Sequence, residues 1–480
     1  MELSARKKTV LDASQRYAKE YAQWWPKKAY FYEEHLRYLR FLIPENLRVL
    51  DLGCGFGDIL AGLKPSYGVG IDFSPATVKQ AQSRHTDRRL HFSVGDVENA
   101  QFMANIKGPF DIILLSDVLG VLEDCQQTLS HLKTLCHPQT RLIISYYNCA
   151  WDPILRIAEK LGQRMPQPEN NNWSTTDIYN LLRLSNFRPI KREWRQLLPK
   201  YCWGLGHWVN RFIGTLPLIR LLCLRNYMVA RLEDLVSTTK SASTSIIVPC
   251  QNEKGNIESI VKRIPFFCDD LEIIFVEGKS KDGTFEEIER VIKAYPHKNI
   301  AALLQEGRGK GDAVRKGFEY ATKDILMILD ADLTTPAEDL PKFYQALVES
   351  KGEFINGTRL VYPMEDQAMR TLNFIANKIF SWIFSYLLNQ RFTDTLCGTK
   401  VLYRSHYQKI AANRDYFGDF DPFGDFDLIF GASKLNLEAV EVPVRYAART
   451  YGNTQISRFE HGWLLLKMVV FAYRKLKAFA

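Results

Sequence analysis

Two successive stretches of this chain alternate short apolar runs with helix-like segments, and that pattern restricts the fold more than any other feature. From about Arg48 to Ser145 the runs are RVLDLG, YGVGID, HFSVGD, DIILLSD and RLIISYY; a second series begins at TSIIVPC and continues through LEIIFVEG, IAALLQE and DILMILDADL. Such runs predict a parallel sheet covered by helices, because parallel strands need a long crossover to rejoin their sheet. Two series predict two α/β units in tandem, and 480 residues are more than one hydrophobic core usually organises. No short-period repeat accompanies them.

The composition, 46% hydrophobic and 24% charged, is that of a soluble protein. No unbroken apolar segment approaches the roughly 20 residues that span a bilayer, so any membrane contact is expected to be peripheral. The opening MELSARKKTVLDASQRYAKEY lacks an apolar core followed by a small-residue cleavage site, which points to the cytoplasm. Nine cysteines without a C-x-x-C pair argue against a disulfide framework or a zinc site, and Cys54, Cys250 and Cys397 are read as reduced. The formal charge of +9 suits nucleic acid, anionic lipid or phosphorylated substrates.

The excess charge sits in the middle and at the tail. Arg188 to Arg231 carries nine Lys or Arg against the single acid Glu193, interleaved with Trp194, Tyr201, Trp203, Trp208, Phe212 and Tyr227. Cations beside Trp and Tyr fit a surface lying on anionic headgroups; a helical connector packed on one of the domains is the plainer alternative. In the tail HGWLLLKMVVFAYRKLKAFA, Lys467, Arg474, Lys475 and Lys477 share about half of a helical circumference, opposite Trp463, Leu464, Leu465, Val469, Val470 and Leu476. TLNFIANKIFSWIFSYLLNQ places Asn373, Asn377, Ser381 and Ser385 as a narrow polar stripe, which suits either a membrane surface or a helix buried in protein.

In the first unit VLDLGCGFGD sets glycines 53, 55 and 57 after a strand, where backbone approaches a ligand at a helix start. Asp72 ends the next strand in GVGID, placed to accept both hydroxyls of a ribose, and Asp96 ends a third in VGDVEN, placed to accept from an exocyclic amine. Strand ends of such a sheet converge on one crevice, so Gly53, Asp72 and Asp96 would surround a nucleoside. From about Tyr30 to Asn148 these residues resemble the class I S-adenosylmethionine-dependent methyltransferases, with a Rossmann-like fold. The resemblance implies cofactor contacts from Asp51, Gly53, Gly55, Asp72, Asp96 and Val97, with Ser116 and Asp117 of LLSDVLGVLED facing the cofactor. VLEDCQ stands where the family's histidine pattern usually follows, so no base is identified. A dinucleotide site would ask for G-x-G-x-x-G where this loop has G-x-G-x-G.

In the second unit ILMILDADLTTP ends a buried apolar run with two carboxylates, Asp330 and Asp332, which demand a cation or a cluster of donors. EGRGKGDAVRKGFEYA offers Arg308, Lys310 and a flexible glycine loop fit to embrace a diphosphate. A magnesium or manganese ion bridging the aspartates to a diphosphate answers the demand, although Asp332 could instead cap the helix start near Pro336. Over about Ser243 to Arg458, VPCQNE, EGKSKDGT, GKG, DADL, GTR, DTLCGTK, FGDFDLIFGA and EVPVRY followed by RTYG resemble glycosyltransferase family 2. These are inverting enzymes with a GT-A fold, and the likeness is to their dolichyl- or polyprenyl-phosphate mannosyltransferases. The resemblance implies that Pro249, Gln251, Glu253 and Glu277 hold the nucleoside, with Lys310 at the diphosphate. It implies that Asp330 and Asp332 hold metal and sugar diphosphate, and that Arg359 and Arg449 contact phosphates. Asp425 first, and Asp427 second, stand where related enzymes carry acids near the acceptor. Departures are Gly278 beside Glu277, Thr334 after the metal aspartate, and Gln455 where a lysine is expected, with Arg458 nearby.

The expected organisation is α/β throughout: a methyltransferase-like domain at 1–195, a basic aromatic-rich linker at 196–240, a glycosyltransferase domain at 241–458 and an amphipathic basic tail at 459–480. The whole also resembles bacterial methyltransferase and glycosyltransferase fusions. The expected partners are a nucleotide-sugar donor, a lipid-phosphate or glycan acceptor and the inner face of a membrane, with no nucleic acid. Competing readings make the first domain a non-catalytic cofactor-binding regulator, or an RNA methyltransferase. The latter lacks both a [DN]-P-P-[YF] motif and an RNA-binding module.

Overall fold

The computed structural model describes residues 3–167, 171, 173–233, 242–359, 371–416, 426–444, 446–447, 449, 451 and 458–478. The chain divides into two compact units, Met1–Asp234 and Leu235–Ala480.

In the first unit the seven strands are β1 (Arg48–Leu52), β2 (Tyr67–Asp72), β3 (Leu90–Val94), β4 (Phe110–Ser116), β5 (Cys136–Tyr147), β6 (Phe187–Arg195) and β7 (Arg225–Leu232), in the order β3-β2-β1-β4-β5-β7-β6. Pairing is parallel from β3 to β5, with Leu50 opposite both Val69 and Ile113, and antiparallel for β5 with β7 and β7 with β6. Leu50, Leu52, Ile113, Leu115, Leu142 and Ile144 are buried to 0% exposure, as strands covered on both faces require. The order reverses beside β1: β2 and β3 lie on one side and β4 on the other. That leaves a crevice at the carboxyl ends of β1 and β4. The 38-residue helix Ala5–Leu42 precedes the sheet, capped by the Ser4 hydroxyl accepting from Lys7 N.

The expected linker 196–240 is corrected by this sheet. Its residues 225–232 are β7, buried in the middle of the sheet's antiparallel edge, with Tyr227, Met228 and Val229 each 1% exposed. Basic residues at Arg188, Arg225 and Arg231 masked the alternation that marks a strand; Arg225 is itself 0% exposed and paired with Asp117.

The second unit repeats the plan with β8 (Thr244–Cys250), β9 (Leu271–Glu277), β10 (Asn299–Leu304), β11 (Ile325–Ile328), β12 (Phe354–Thr358), β13 (Lys400–Tyr403) and β14 (Ala439–Pro443), ordered β10-β9-β8-β11-β13-β12-β14. Pairings of β13 with β11 and β12 are antiparallel and the others parallel. Ile246, Val248, Phe275, Ile325, Met327 and Val401 build the core, and the order reverses between β8 and β11. The segment expected as an amphipathic basic tail at 459–480 belongs to this unit. Helix Arg458–Ala472 and the turn Tyr473–Lys477 pack on this unit through Leu465, Met468, Ala472 and Leu476, and the buried Lys477 ammonium donates to Asn389 Oδ1 at 2.7 Å. In helix Thr371–Leu388 the Ser381 and Ser385 hydroxyls donate to Phe392 O at 2.8 and 2.9 Å, so that part of the polar stripe faces protein. All nine cysteines carry free thiols, and no described helix is long and apolar enough to cross a membrane.

Candidate functional sites

The first site fills the crevice after β1 and β4. Gly53 (φ +76°) turns the chain out of β1 in the left-handed region that an L side chain resists, and a Cβ there would meet Val118 at 2.4 Å. The loop then fixes Asp72: its two carboxylate oxygens accept from Gly55 N and Ser74 N, each at 2.9 Å. Burial outweighs these donors and raises the Asp72 pKa. A cavity of about 270 Å³ is lined by Gly53, Asp72, Asp96, Val97, Ser116 and Asp117 among others. Asp51 lies beneath it at 1% exposure, and neither of its oxygens has a partner among the described residues. Burial, with the Asp72 charge second, pushes its pKa up to about 7.

Sequence reasoning missed what the N-terminal helix contributes. Lys7, Tyr17, Lys28 and Tyr32 line the same cavity. Lys7 Nζ reaches Asp96 Oδ2 at 2.6 Å and Glu98 Oε2 at 3.1 Å, while Tyr17 and Tyr21 pack on Phe56 of the glycine loop with centroids 5.3 and 4.5 Å apart. Lys28 sits 4.4 Å over the Tyr17 ring; burial, helped by Arg164, pushes it down to about 8. Ser116 and Asp117 are held from behind. His35 Nε2 lies 2.8 Å from Ser116 Oγ and His35 Nδ1 2.7 Å from the Tyr227 hydroxyl, and Arg225 Nη1 donates to Asp117 Oδ1 at 2.8 Å. Burial keeps His35 neutral by lowering its pKa well below the usual range, so one ring nitrogen donates and the other accepts. The signal for the helix was the aromatic spacing at 17, 21, 25 and 32, which reads equally well as core.

The second site lies after β8 and β11. Two loops are laced together there: Asn252 N donates to Ser280 Oγ at 2.8 Å, Lys281 N to Asn252 Oδ1 at 2.9 Å and Lys254 N to Asp282 Oδ2 at 3.2 Å. This lacing positions the residues expected at a nucleoside. Pro249 is in β8, Gln251 Nε2 donates to Gly278 O at 2.7 Å, and Glu277 ends β9 with Oε1 accepting from Ser280 N at 2.5 Å. Glu253 accepts from Asn256 Nδ2 at 2.7 Å, and burial raises its pKa against the pull of Arg449.

Asp330 and Asp332 follow β11 and are met by cations. Lys310 Nζ is 2.8 Å from Asp330 Oδ1 and Arg449 Nη2 is 2.6 Å from Asp332 Oδ2, with Arg449 also 3.6 Å from Glu253. Burial pushes Asp330 upward, but Lys310, Lys400 and Arg359 outweigh it and hold the carboxyl below its ordinary range. Asp332 does not cap the helix start near Pro336; its other oxygen, Oδ1, closes a local turn by accepting from Thr334 N at 3.1 Å and Thr334 Oγ1 at 2.8 Å. Gly398 of DTLCGTK has a reason in packing, since a Cβ there would lie 1.8 Å from Asp330 Oδ2. No group of three or more potential metal ligands occurs among the described residues.

Two further expected site residues are ion-paired within the unit. Arg359 is held by Asp394, with Nε to Oδ2 at 2.6 Å and Nη2 to Oδ1 at 2.8 Å, and its charge also helps lower the Asp330 pKa. Asp427 pairs with Arg414 Nε at 3.1 Å. Asp425, Gln455 and the side chain of Arg458 lie outside the described residues.

Comparison with known proteins agrees with this division. Residues 245–411 match the family model "Glycosyl transferase family 2" and residues 43–198 the model "Methyltransferase domain". Undecaprenyl-phosphate 4-deoxy-4-formamido-L-arabinose transferase of Edwardsiella ictaluri is 24% identical over 215 residues, 44% of this chain and 62% of that protein. The Aeromonas hydrophila protein of the same name is 28% identical over 147 residues, 30% and 44% of the two chains. Dolichol-phosphate mannosyltransferase of Pyrococcus furiosus is 34% identical over 119 residues, 24% and 33%. The chain thus spans between 33% and 62% of the length of these curated relatives. Among solved structures, a SAM-dependent methyltransferase of Thermotoga maritima is 16% identical with a TM-score of 0.36, covering 46% of this chain and 99% of its own. An S-adenosylmethionine-dependent methyltransferase of Mesorhizobium loti is 19% identical with a TM-score of 0.31, covering 41% and 96%. The chain is a fusion of a methyltransferase domain with a glycosyl transferase family 2 domain.

Proposed function

We propose that the second unit transfers a sugar from a nucleotide-sugar donor to a lipid phosphate at the cytoplasmic face of a membrane. The observation that carries this reading is the pair Asp330 and Asp332 at the β8/β11 crevice, ringed by Lys310 and Arg449. Two hard carboxylates suit magnesium or manganese, which Asp330 and Asp332 would hold; such an ion would neutralise the departing nucleoside diphosphate. Lys310 and Arg449, now paired with the aspartates, would be the cations at hand for the added negative charge. A lipid phosphate is already ionised, so alignment and charge neutralisation suffice and Asp427 is free to orient Arg414. A glycan acceptor would need a base, and Asp425 is the position for it. Ile379 and Trp382 on helix Thr371–Leu388, with Trp463 and Val470 on helix Arg458–Ala472, are exposed and suit a lipid surface beside such an acceptor.

The first unit, in the same reading, binds S-adenosylmethionine and methylates a related substrate. Its residues suit that cofactor: Asp72, fixed by two backbone donors, is a carboxylate suited to ribose hydroxyls, and Asp51, buried in β1 ahead of the glycine loop, has no partner among the described residues. The bound sulfonium supplies the electrophilic methyl group. Lys28 loses its proton near pH 8 and is suited to accept one from an acceptor hydroxyl. Calorimetric titration with S-adenosylhomocysteine tests the assignment. Binding to the wild type should weaken about tenfold to a hundredfold in Asp72→Ala, the loss expected for hydrogen bonds to a charged group. Equal affinity in the two proteins would remove Asp72 from the site. For the second unit, the melting temperature should rise with one nucleotide sugar of a panel, and more so with manganese; no response to any donor would count against the donor class.

A further inference from the structure

The first unit carries an apolar surface that its own fold does not use. Between β6 and β7 the chain runs through short helical turns whose large side chains point outward: Trp203 is 100% exposed and Leu218 81%, with Trp208, Phe212 and Leu222 also exposed. Polar bonds on the inner side hold this segment. Asn210 Nδ2 donates to Tyr30 Oη at 2.9 Å and to Leu198 O at 2.8 Å, Trp151 Nε1 to Leu222 O at 2.7 Å, and Asn148 Nδ2 to Leu221 O at 3.0 Å. Its apolar side chains are therefore not the price of folding it.

The surface continues onto helix Asp152–Lys160, which buries none of its residues. Ile154, Ile157 and Leu161 recur at helical spacing on one exposed face. Trp151, at the start of this helix, and Gln163, bonded to Lys200 Nζ at 3.2 Å, join the two parts. From Gln196 to Leu224 there is no acid; Lys200 and Arg211 are cations of this loop, Arg220 being turned in toward Glu193 at 3.9 Å, while exposed Lys27, Arg156 and Lys160 lie beside it and the two acids of the neighbouring helix, Asp152 and Glu159, are paired with Arg156 and Arg164. Exposed apolar anchors that include Trp203 and Trp208, with an excess of cations around them and the helix acids already paired with Arg, match the chemistry of an anionic bilayer surface.

We propose that the face formed by residues 154–161 and 201–222 of the methyltransferase unit seats on an anionic lipid bilayer. Met165, Pro166 and Gln167, which line the cofactor cavity, follow directly in the chain, so docking brings that cavity to the membrane surface. The inference stands on the first unit alone and does not depend on sugar transfer by the second.

Sedimentation of the full chain with phosphatidylcholine vesicles, with and without phosphatidylglycerol, tests it. A position-specific reporter is provided by Cys202, which is exposed within the face; Cys149, also exposed, is removed by Cys149→Ser before labelling with an environment-sensitive maleimide. Binding should require phosphatidylglycerol and the label should shift to the blue. The triple substitution Trp203→Ser, Leu218→Ser, Leu222→Ser should lower partitioning about tenfold without changing the melting temperature. An unshifted label on sedimenting protein would assign binding to another surface and overturn the proposal. So would failure to sediment, or a vesicle-free dimer that the triple substitution splits.

Discussion

Asp332→Ala is expected to lower sugar transfer by about a thousandfold, the scale of losing a preorganised electrostatic group at a reacting diphosphate. The carboxylate does two jobs on two oxygens. Oδ2 meets Arg449 at 2.6 Å, and Oδ1 accepts from the Thr334 backbone and hydroxyl. Alanine removes both and should also cost about 1 kcal/mol of stability through the lost turn bonds. Asp332→Asn separates them, because its carbonyl still accepts from Thr334 while the charge is gone. Transfer rate should fall in both variants and melting temperature only in the first. A rate within a few fold of wild type in Asp332→Asn would mean that the charge is not used.

Asp51→Asn is expected to change how stability depends on pH. The folded pKa is pushed up to about 7 from an ordinary 3.8, mainly by burial. Between these values the native state holds a proton that the unfolded chain releases, so stability falls as pH rises from about 4 to about 7 and stays low above it. The full effect is bounded by about 4 kcal/mol, from roughly 1.4 kcal/mol per pH unit. His35 contributes the opposite slope: buried and neutral, it opposes the protonation that the unfolded chain accepts below its ordinary 6.5. Subtracting the variant's stability profile from that of the wild type cancels His35. The difference should decline toward pH 7, and a flat difference would show that Asp51 is already ionised in the native protein.

Both α/β units were legible because periodicity and strand-end residues obey local rules. A buried parallel strand reads as an apolar run, and Asp72 and Asp330 stand where such runs stop. Asp332, Arg449 and Glu253 were found through motifs, but their mutual bonding depends on residues nearly two hundred positions apart. β7 was hidden because its charged residues find partners inside the fold, as Arg225 does with Asp117. Nothing local reveals that Asp394, 35 residues on, holds the Nε and Nη2 edge of the Arg359 guanidinium. The N-terminal helix was missed for a related reason: Lys7 and Lys28 become part of a cavity only when the helix crosses strand ends distant in sequence.

The most direct measurement is transfer from radiolabelled nucleotide sugars to undecaprenyl phosphate by the full chain, in the presence and absence of manganese, with Asp332→Asn alongside. The account predicts one donor whose label moves into an organic-soluble lipid phosphate, dependent on the metal and lost in the variant. A folded wild-type chain that melts later with a donor yet transfers its sugar to no lipid phosphate would contradict it.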